Sequence, residues 1–354
     1  MTSRRRAAGR DVKAPRRSPR RTSRKGLTDA RAVLEASVGD WLHRQGLGSD
    51  MAVVRHGREV ALDRPSLRRA FRRPSARLTV WVHGLGVTER AWTFPGYSRK
   101  SYGTLHATEA GYTPVFVRYN TGRRIADSGG SLDDLLERLV AGWPVPVLEM
   151  VLIGYSMGGL VVRSGCHQGA ERGAPWIRLV RRAVYLGVPH LGAPLEKAAR
   201  AATSLLRAAP SRVARALGTL AEARSAGIKD LAEGALQPTG EWLPLLKGVE
   251  HRVVLGTLHR RERHLISLLL GDGMVPIRSA SARRRGLGAT FEQRQVTMVG
   301  GVGHLALPRS PRVYAALRGV LGEGAAIGAR TRGRAQRGRS SSRHRPRSTN
   351  TRTK

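Results

Sequence analysis

Between Val147 and Leu160 the chain reads VLEMVLIGYSMGGL. An apolar run, Met150 to Ile153, stops at Gly154-Tyr155-Ser156-Met157-Gly158, and helix-like LVVRSGCH follows. Few local patterns restrict a fold as tightly. The residues demand a strand, a very tight turn and a helix folded back on the strand. Glycines two before and two after Ser156 carry no Cβ, so strand and helix can close around the turn. The serine at the apex is then held in strained backbone. The helix presents its N-terminus to that point, where negative charge is favoured.

The rest of the chain repeats strand-like runs that end in loops. LTVWV (78–82), YTPVFVRYN (112–120), RAVYLGV (182–188), RVVLGTL (252–258) and QVTMV (295–299) all read as strands. Helical patterns alternate with them, which predicts an α/β fold: a mostly parallel sheet with helices on both faces. Sites in such sheets gather at the carboxyl ends of strands. Ahead of the first of these strands, Thr28 is expected to cap a helix that runs to Gln45 and closes at Gly46. A hairpin of Met51–Val54 and Glu59–Leu62 around His56-Gly57 follows, which makes His56 a turn residue. Ser131 is expected to cap SLDDLLERLVAGW, with Asp133 and Asp134 as capping charges in its first turn.

The expected organisation is a disordered Arg-rich tail at 1–26, one α/β domain at 27–320 and a disordered Arg/Ser-rich tail at 321–354. Within the domain, 27–75 form the N-terminal helix and hairpin. Residues 195–245, rich in Ala, Leu, Arg and Glu, form a helical cap insertion. Such a cap reads either as an apolar cover suited to a lipid-like or aromatic ester, or as a structural insertion.

The formal net charge is +38 over 354 residues. Residues 1–26 hold eleven Lys or Arg against Asp11 alone, and residues 324–354 hold ten with no acid. These ends read either as solvated tails or as weak tethers to an anionic membrane or nucleic acid. Cys166 is the single cysteine, so no intrachain disulfide can form. In the helix after Ser156 it reads as a small buried hydrophobe. No apolar run is long enough to span a bilayer, and the basic N-terminus lacks a secretory h-region. The cytoplasm is the expected location, with peripheral attachment to a membrane surface left open.

A nucleophilic serine needs a base within hydrogen-bond reach and an acid to orient that base. After Ser156 the chain has only two aspartates, Asp230 and Asp272, and beyond Asp272 only two histidines, His304 and His344. His344 lies in the basic tail. His304 lies in a Gly-lined loop directly after a strand, which makes it the base. Asp272 sits in the turn GDGMVP, whereas Asp230 sits in helical GIKDLAEG and reads as a cap or surface charge, so Asp272 is favoured as the acid. Singly, Asp272 reads as an ordinary turn residue and His304 as a surface histidine; their order and loop positions join them. An oxyanion requires two backbone N–H groups aimed at one point. Met157, after the serine, supplies one, and Leu85, after His83-Gly84, is the natural second. His83 reads as structural rather than catalytic. With Tyr155 and His190 it is a candidate for the wall of the substrate pocket. This chemistry calls for no cofactor and no metal.

The motifs WVHGLG, RYNTG, IGYSMGGL, LGVPHLGAP, GDGMVP and GGVGHL together resemble α/β-hydrolase lipases and esterases. The resemblance leans toward bacterial hydrolases related to the GPI inositol-deacylase and triacylglycerol lipase branches, and covers about residues 75 to 310. It implies an α/β-hydrolase fold, Ser156 as nucleophile, Asp272 as acid, His304 as base, and Leu85 and Met157 as oxyanion amides. PHLGAP is similar to a T-P-H-x-G-[ST] segment near the site in this branch, with Val188 in place of Thr or Ser. Tyr155 stands where His is commoner. The implied activity is cleavage of carboxylic esters, on a small-molecule or lipid substrate, through an acyl-enzyme. Two alternatives share the sequence: an acyltransferase using the same three side chains, and a nucleic-acid- or anionic-surface-binding protein on an inactive scaffold.

Overall fold

The computed structural model describes residues 24–97, 99–192, 225–237, 243–260, 271–284 and 288–322. Nearly all of both Arg-rich tails, and most of the 195–245 insertion, lie outside the described residues. Expectations of disorder and of a cap over the site therefore fall there too.

Eight strands form one sheet. In chain order they are β1 (Ala52–Arg55), β2 (Arg58–Val60), β3 (Arg77–Val82), β4 (Thr113–Arg118), β5 (Glu149–Tyr155), β6 (Val180–Leu186), β7 (Glu250–Thr257) and β8 (Val296–Gly300). Their spatial order is β8-β7-β6-β5-β3-β4-β1-β2. Strands β3 to β8 pair in parallel, while β1 runs antiparallel to both its neighbours. Arg55 pairs with Arg58 across a two-residue turn in which His56 (φ 51°) and Gly57 (φ 77°) both have positive φ. That is the turn a right-twisted hairpin prefers, and it bears out the reading of His56.

The central strands are apolar at nearly every position because both faces are covered. Leu78, Val80, Val82, Met150 and Leu152 pack on one face with Leu132, Leu136, Leu160 and Val161. Those partners come from α4 (Ile125–Gly142) and α5 (Met157–Glu171). Trp81, Val151, Ile153, Val184 and Val254 pack on the other face with Trp92, Tyr102, Val313 and Leu317. These come from α3 (Tyr102–Ala110) and from helical residues 311–322, among others. Val82 pairs with Gly154, Tyr155 with Leu186, and Thr257 with Gly300. The carboxyl ends of β3, β5 and β6 lie within a residue of one another, and β7 and β8 run three residues further, since Leu186 pairs with Val254 while β7 continues to Thr257. The loops that leave these strands share one rim.

Three local expectations need correction. The first helix, α1, is Arg24–Arg44, with non-helical backbone at Val38 (φ −135°, ψ 20°), so Thr28 lies inside it rather than capping it, and the boundary at residue 26 falls within a helix. Ala32, Val33 and Ala36 are buried along that helix, and Asn120 Nδ2 donates to the Gly39 carbonyl at 2.9 Å just past the break. Likewise α4 begins at Ile125, not Ser131. Ser128, Gly129 and Gly130 lie inside the helix, where it presses on α5: a methyl on Gly129 would stand 2.3 Å from Ser164 Oγ. Asp133 is therefore two turns in and buried. It accepts from Arg172 Nε at 2.6 Å and Trp176 Nε1 at 2.7 Å instead of capping its own helix.

Among the described residues no helix is long and apolar enough to cross a membrane. Cys166 is buried, and burial pushes its thiol up to about 12.

Candidate functional site

Ser156 joins β5 to α5 with φ 52° and ψ −127°, positive-φ backbone that L-residues avoid. It holds this conformation because its surroundings leave no alternative. Its N–H donates to the Leu186 carbonyl at 2.9 Å. A methyl on Gly154 would stand 2.4 Å from Gly159 Cα, and one on Gly158 2.3 Å from the His83 carbonyl oxygen. Only glycine fits at either position.

The structure brings Ser156, His304 and Asp272 together at the carboxyl rim of the sheet. His304 Nε2 is 2.9 Å from Ser156 Oγ, and its Nδ1 is 2.7 Å from Asp272 Oδ2. The His304 N–H also donates to the Asp272 carbonyl at 3.0 Å, so the two loops are tied through backbone as well. The other Asp272 oxygen, Oδ1, accepts from Met274 N at 3.0 Å and Val275 N at 2.8 Å. Both carboxylate oxygens of Asp272 are thus engaged, which fixes its orientation toward the imidazole. All three residues are buried, where hydrogen bonds between them are electrostatically stronger than in water.

The loop after β3 lies against the serine. A methyl on Gly84 would be 3.0 Å from Ser156 Cβ. Leu85 and Met157 are both buried. Among the described residues, the N–H groups of Leu85 and Met157 make no hydrogen bond, and an unpaired buried N–H is unusual.

The three pocket candidates do other work. His83 is fully buried, with Nδ1 2.9 Å from the Gly84 carbonyl and Nε2 accepting from Tyr119 N at 3.4 Å. Its ring stacks on Tyr119, and burial pushes its pKa down to about 4, so it is a neutral brace for its own loop. Tyr155 donates from its hydroxyl to the His304 carbonyl at 3.1 Å and packs its ring beside the imidazole. It supports the base from below. His190 is fully buried between Tyr185 and Phe291, with Nδ1 3.2 Å from Arg163. Burial and the Arg163 charge hold its pKa well below the usual histidine range. None of the three has a side chain open to a substrate. Of the two readings of Asp230 the structure shows the cap, although the helix it caps is not its own. It is buried, not a surface charge, and accepts from Ile125 N at 2.9 Å, capping α4 from α6 (Ala226–Glu233).

Sequence reasoning missed two supports. Thr121 Oγ1 accepts from Gly86 N at 3.1 Å, and Tyr119 Oη donates to the His83 carbonyl at 3.0 Å, so RYNTG braces the loop that carries Leu85. Gly187, with φ 58°, passes so close that a methyl there would be 3.3 Å from both Asp272 Oδ2 and His304 Cε1. The signal for both was position: each follows a strand at the carboxyl rim. Among the described residues no group of three or more His, Cys, Asp or Glu could hold a metal ion.

No protein-family model matches the chain, and no curated protein matches it. Among solved structures it is similar to a mature lipase of Bacillus licheniformis, at 18% identity and TM-score 0.47, over 69% of this chain and 91% of that one. It is also similar to a thioesterase of the prodiginine biosynthetic pathway of Streptomyces coelicolor, at 16% identity and TM-score 0.43, over 71% of this chain and 92% of that one. A thermophilic esterase from Thermogutta terrifontis stands at 15% identity and TM-score 0.41, over 71% and 90%.

Proposed function

We propose that this chain is a serine hydrolase of carboxylic esters, working through an acyl-enzyme on Ser156. The observation that carries the reading is the unbroken relay Ser156 Oγ–His304 Nε2 at 2.9 Å and His304 Nδ1–Asp272 at 2.7 Å, with the serine in strained backbone. In the first half-reaction Ser156 Oγ attacks the ester carbonyl while His304 Nε2 takes its proton. Asp272 fixes the imidazole tautomer and faces the positive charge that forms. The oxyanion is received by the N–H groups of Leu85 and Met157, at the N-terminus of α5. His304 returns the proton to the leaving alcohol, and water then repeats the cycle on the acyl-enzyme. Leu258 and Leu305 are exposed beside the base, with Leu258 packed near Gly303 and Gly273. That apolar rim supports an apolar acyl group. His83, Tyr155 and His190 serve as supports rather than pocket walls.

The test is a serine-directed fluorophosphonate with peptide mapping, followed by p-nitrophenyl esters of rising chain length. The expected result is a label on Ser156, lost in Ser156→Ala, and turnover that falls by several powers of ten in that variant. A label elsewhere, or none, overturns the reading.

A further inference from the structure

The rim opposite the candidate site carries a second feature. From Arg64 to Arg73 the chain holds five arginines in ten residues, Arg64, Arg68, Arg69, Arg72 and Arg73, all exposed. They lie on α2 (Arg64–Ala70) and the turn after it. Arg64 donates to the Pro144 carbonyl and Arg69 to Ser66 Oγ. Arg68, Arg72 and Arg73 have no partner among the described residues. The nearest acid in sequence, Asp63, is occupied as the N-cap of α2, accepting from Ser66 N at 2.8 Å.

The neighbouring hairpin adds to the charge. Arg55 stacks its guanidinium over Phe71 at 4.5 Å, and Arg58, exposed, stands directly opposite Arg55 in the β1–β2 register. Like charges in that relation are destabilising. Burial lowers the Arg55 pKa from its ordinary value, which adds to the cost of keeping that charge. The fold therefore holds a concentrated positive charge on a rigid base, since Leu67 and Phe71 beneath it are fully buried.

Its location is fixed by contacts. Phe71 packs on Trp143 at 4.8 Å, Trp143 Nε1 donates to the Ser75 carbonyl, and Ser75 N donates to Thr113 Oγ1. The cluster thus lies where β3, β4 and β5 begin. Ser156 lies where β5 ends, about 20 Å away for a strand of this length.

We propose that this arginine face is a docking surface for the phosphate backbone of nucleic acid. Guanidinium groups match phosphate oxygens in charge and in bidentate geometry. A lipid surface is the poorer match. An interfacial helix is anchored by an apolar face as well as by charge, and among the described residues Leu148 is the one exposed large hydrophobic placed on this rim, beside Ala76. A bilayer held here would also be turned away from the ester-cleaving rim. Contacts to phosphates carry no base sequence, so the binding is independent of sequence.

The test uses the full chain, with a fluorescent DNA duplex of about 25 base pairs titrated across a salt series. Each phosphate contact contributes about 0.9 to the slope of log K against log salt. Arg68→Gln, Arg72→Gln and Arg73→Gln combined should lower that slope by roughly 1 to 3, with thermal stability and ester turnover unchanged. A control of equal charge, Arg99→Gln, Arg138→Gln and Arg318→Gln, removes exposed arginines from other elements. The proposal requires the first variant to lose clearly more slope than the control. Equal losses would mean that net charge and the tails do all the binding, and would overturn it. So would a first variant that keeps duplex affinity while losing affinity for vesicles rich in phosphatidylglycerol.

Discussion

Asp272 and Asp230 are both buried, yet their oxygens meet different groups. Asp272 faces an imidazole and two turn amides. Asp230 faces the Ile125 amide and Arg124 at the start of α4. Substitution should therefore separate activity from stability. Asp272→Asn keeps the shape but removes the charge and permits the wrong imidazole tautomer. Turnover should fall by about a thousand- to ten-thousandfold. Asp230→Ala removes a buried cap and should lower unfolding free energy by about 1–2 kcal/mol, with kcat nearly unchanged. Steady-state kinetics and urea unfolding on both variants check this. A large kcat loss in Asp230→Ala together with full activity in Asp272→Asn would reverse the assignment of the acid. At the same scale, Gly187→Ala forces a methyl into a left-handed residue beside Asp272 and His304. A fall in kcat on the order of tenfold is expected. Unaltered kinetics would show that the loop has room to spare.

At the scale of elements, the site is two kinds of structure. The β5–α5 elbow was legible in sequence because its constraints are local: glycines at fixed offsets around one serine, an apolar run before, a helix after. The strands were legible because burial on both faces makes them apolar throughout. The brace on the Leu85 loop was not legible. It joins Thr121 to Gly86 and Tyr119 to His83 across two loops that meet only because β3 and β4 pair in parallel. Asp133 was misread for the same reason, and which helix Asp230 caps was not legible, since Arg172 and Ile125 approach them from distant segments. The brace makes its own prediction. Thr121→Val leaves the Gly86 N–H buried without its acceptor and frees the loop that carries the Leu85 amide. The expected outcome is a kcat lowered on the order of tenfold, about 1.4 kcal/mol, with KM little changed. Thr121→Ser, which restores the oxygen, should recover most of it. If Val and Ser behave alike, the hydroxyl does not position the loop.

At the scale of the whole molecule, four buried histidines among the described residues are held neutral in the folded state. Burial pushes His83 and His106 down to about 4, lowers His251, and, with Arg163 beside it, takes His190 well below its ordinary value. None of them is the candidate base. Each binds its proton more weakly folded than unfolded, where the value is near 6.5. Below that pH the unfolded chain takes up more protons, so stability is full above about 6.5 and is lost as pH falls toward about 4. For His83 alone the loss between pH 7 and pH 5 is on the order of 2 kcal/mol. Asp29 and Asp230 are raised by burial and work in the opposite sense, so the measured slope is a difference. Three histidines besides His83 act in its direction, and the expected sign is a fall in unfolding free energy from pH 7 to pH 5. Urea unfolding at a series of pH values measures it. His83→Gln cannot be protonated, so its stability should be lower at pH 7 yet fall less steeply with acid. Stability that holds level or rises from pH 7 to pH 5 would mean that these imidazoles gain compensating partners on protonation, and that burial does not keep them neutral.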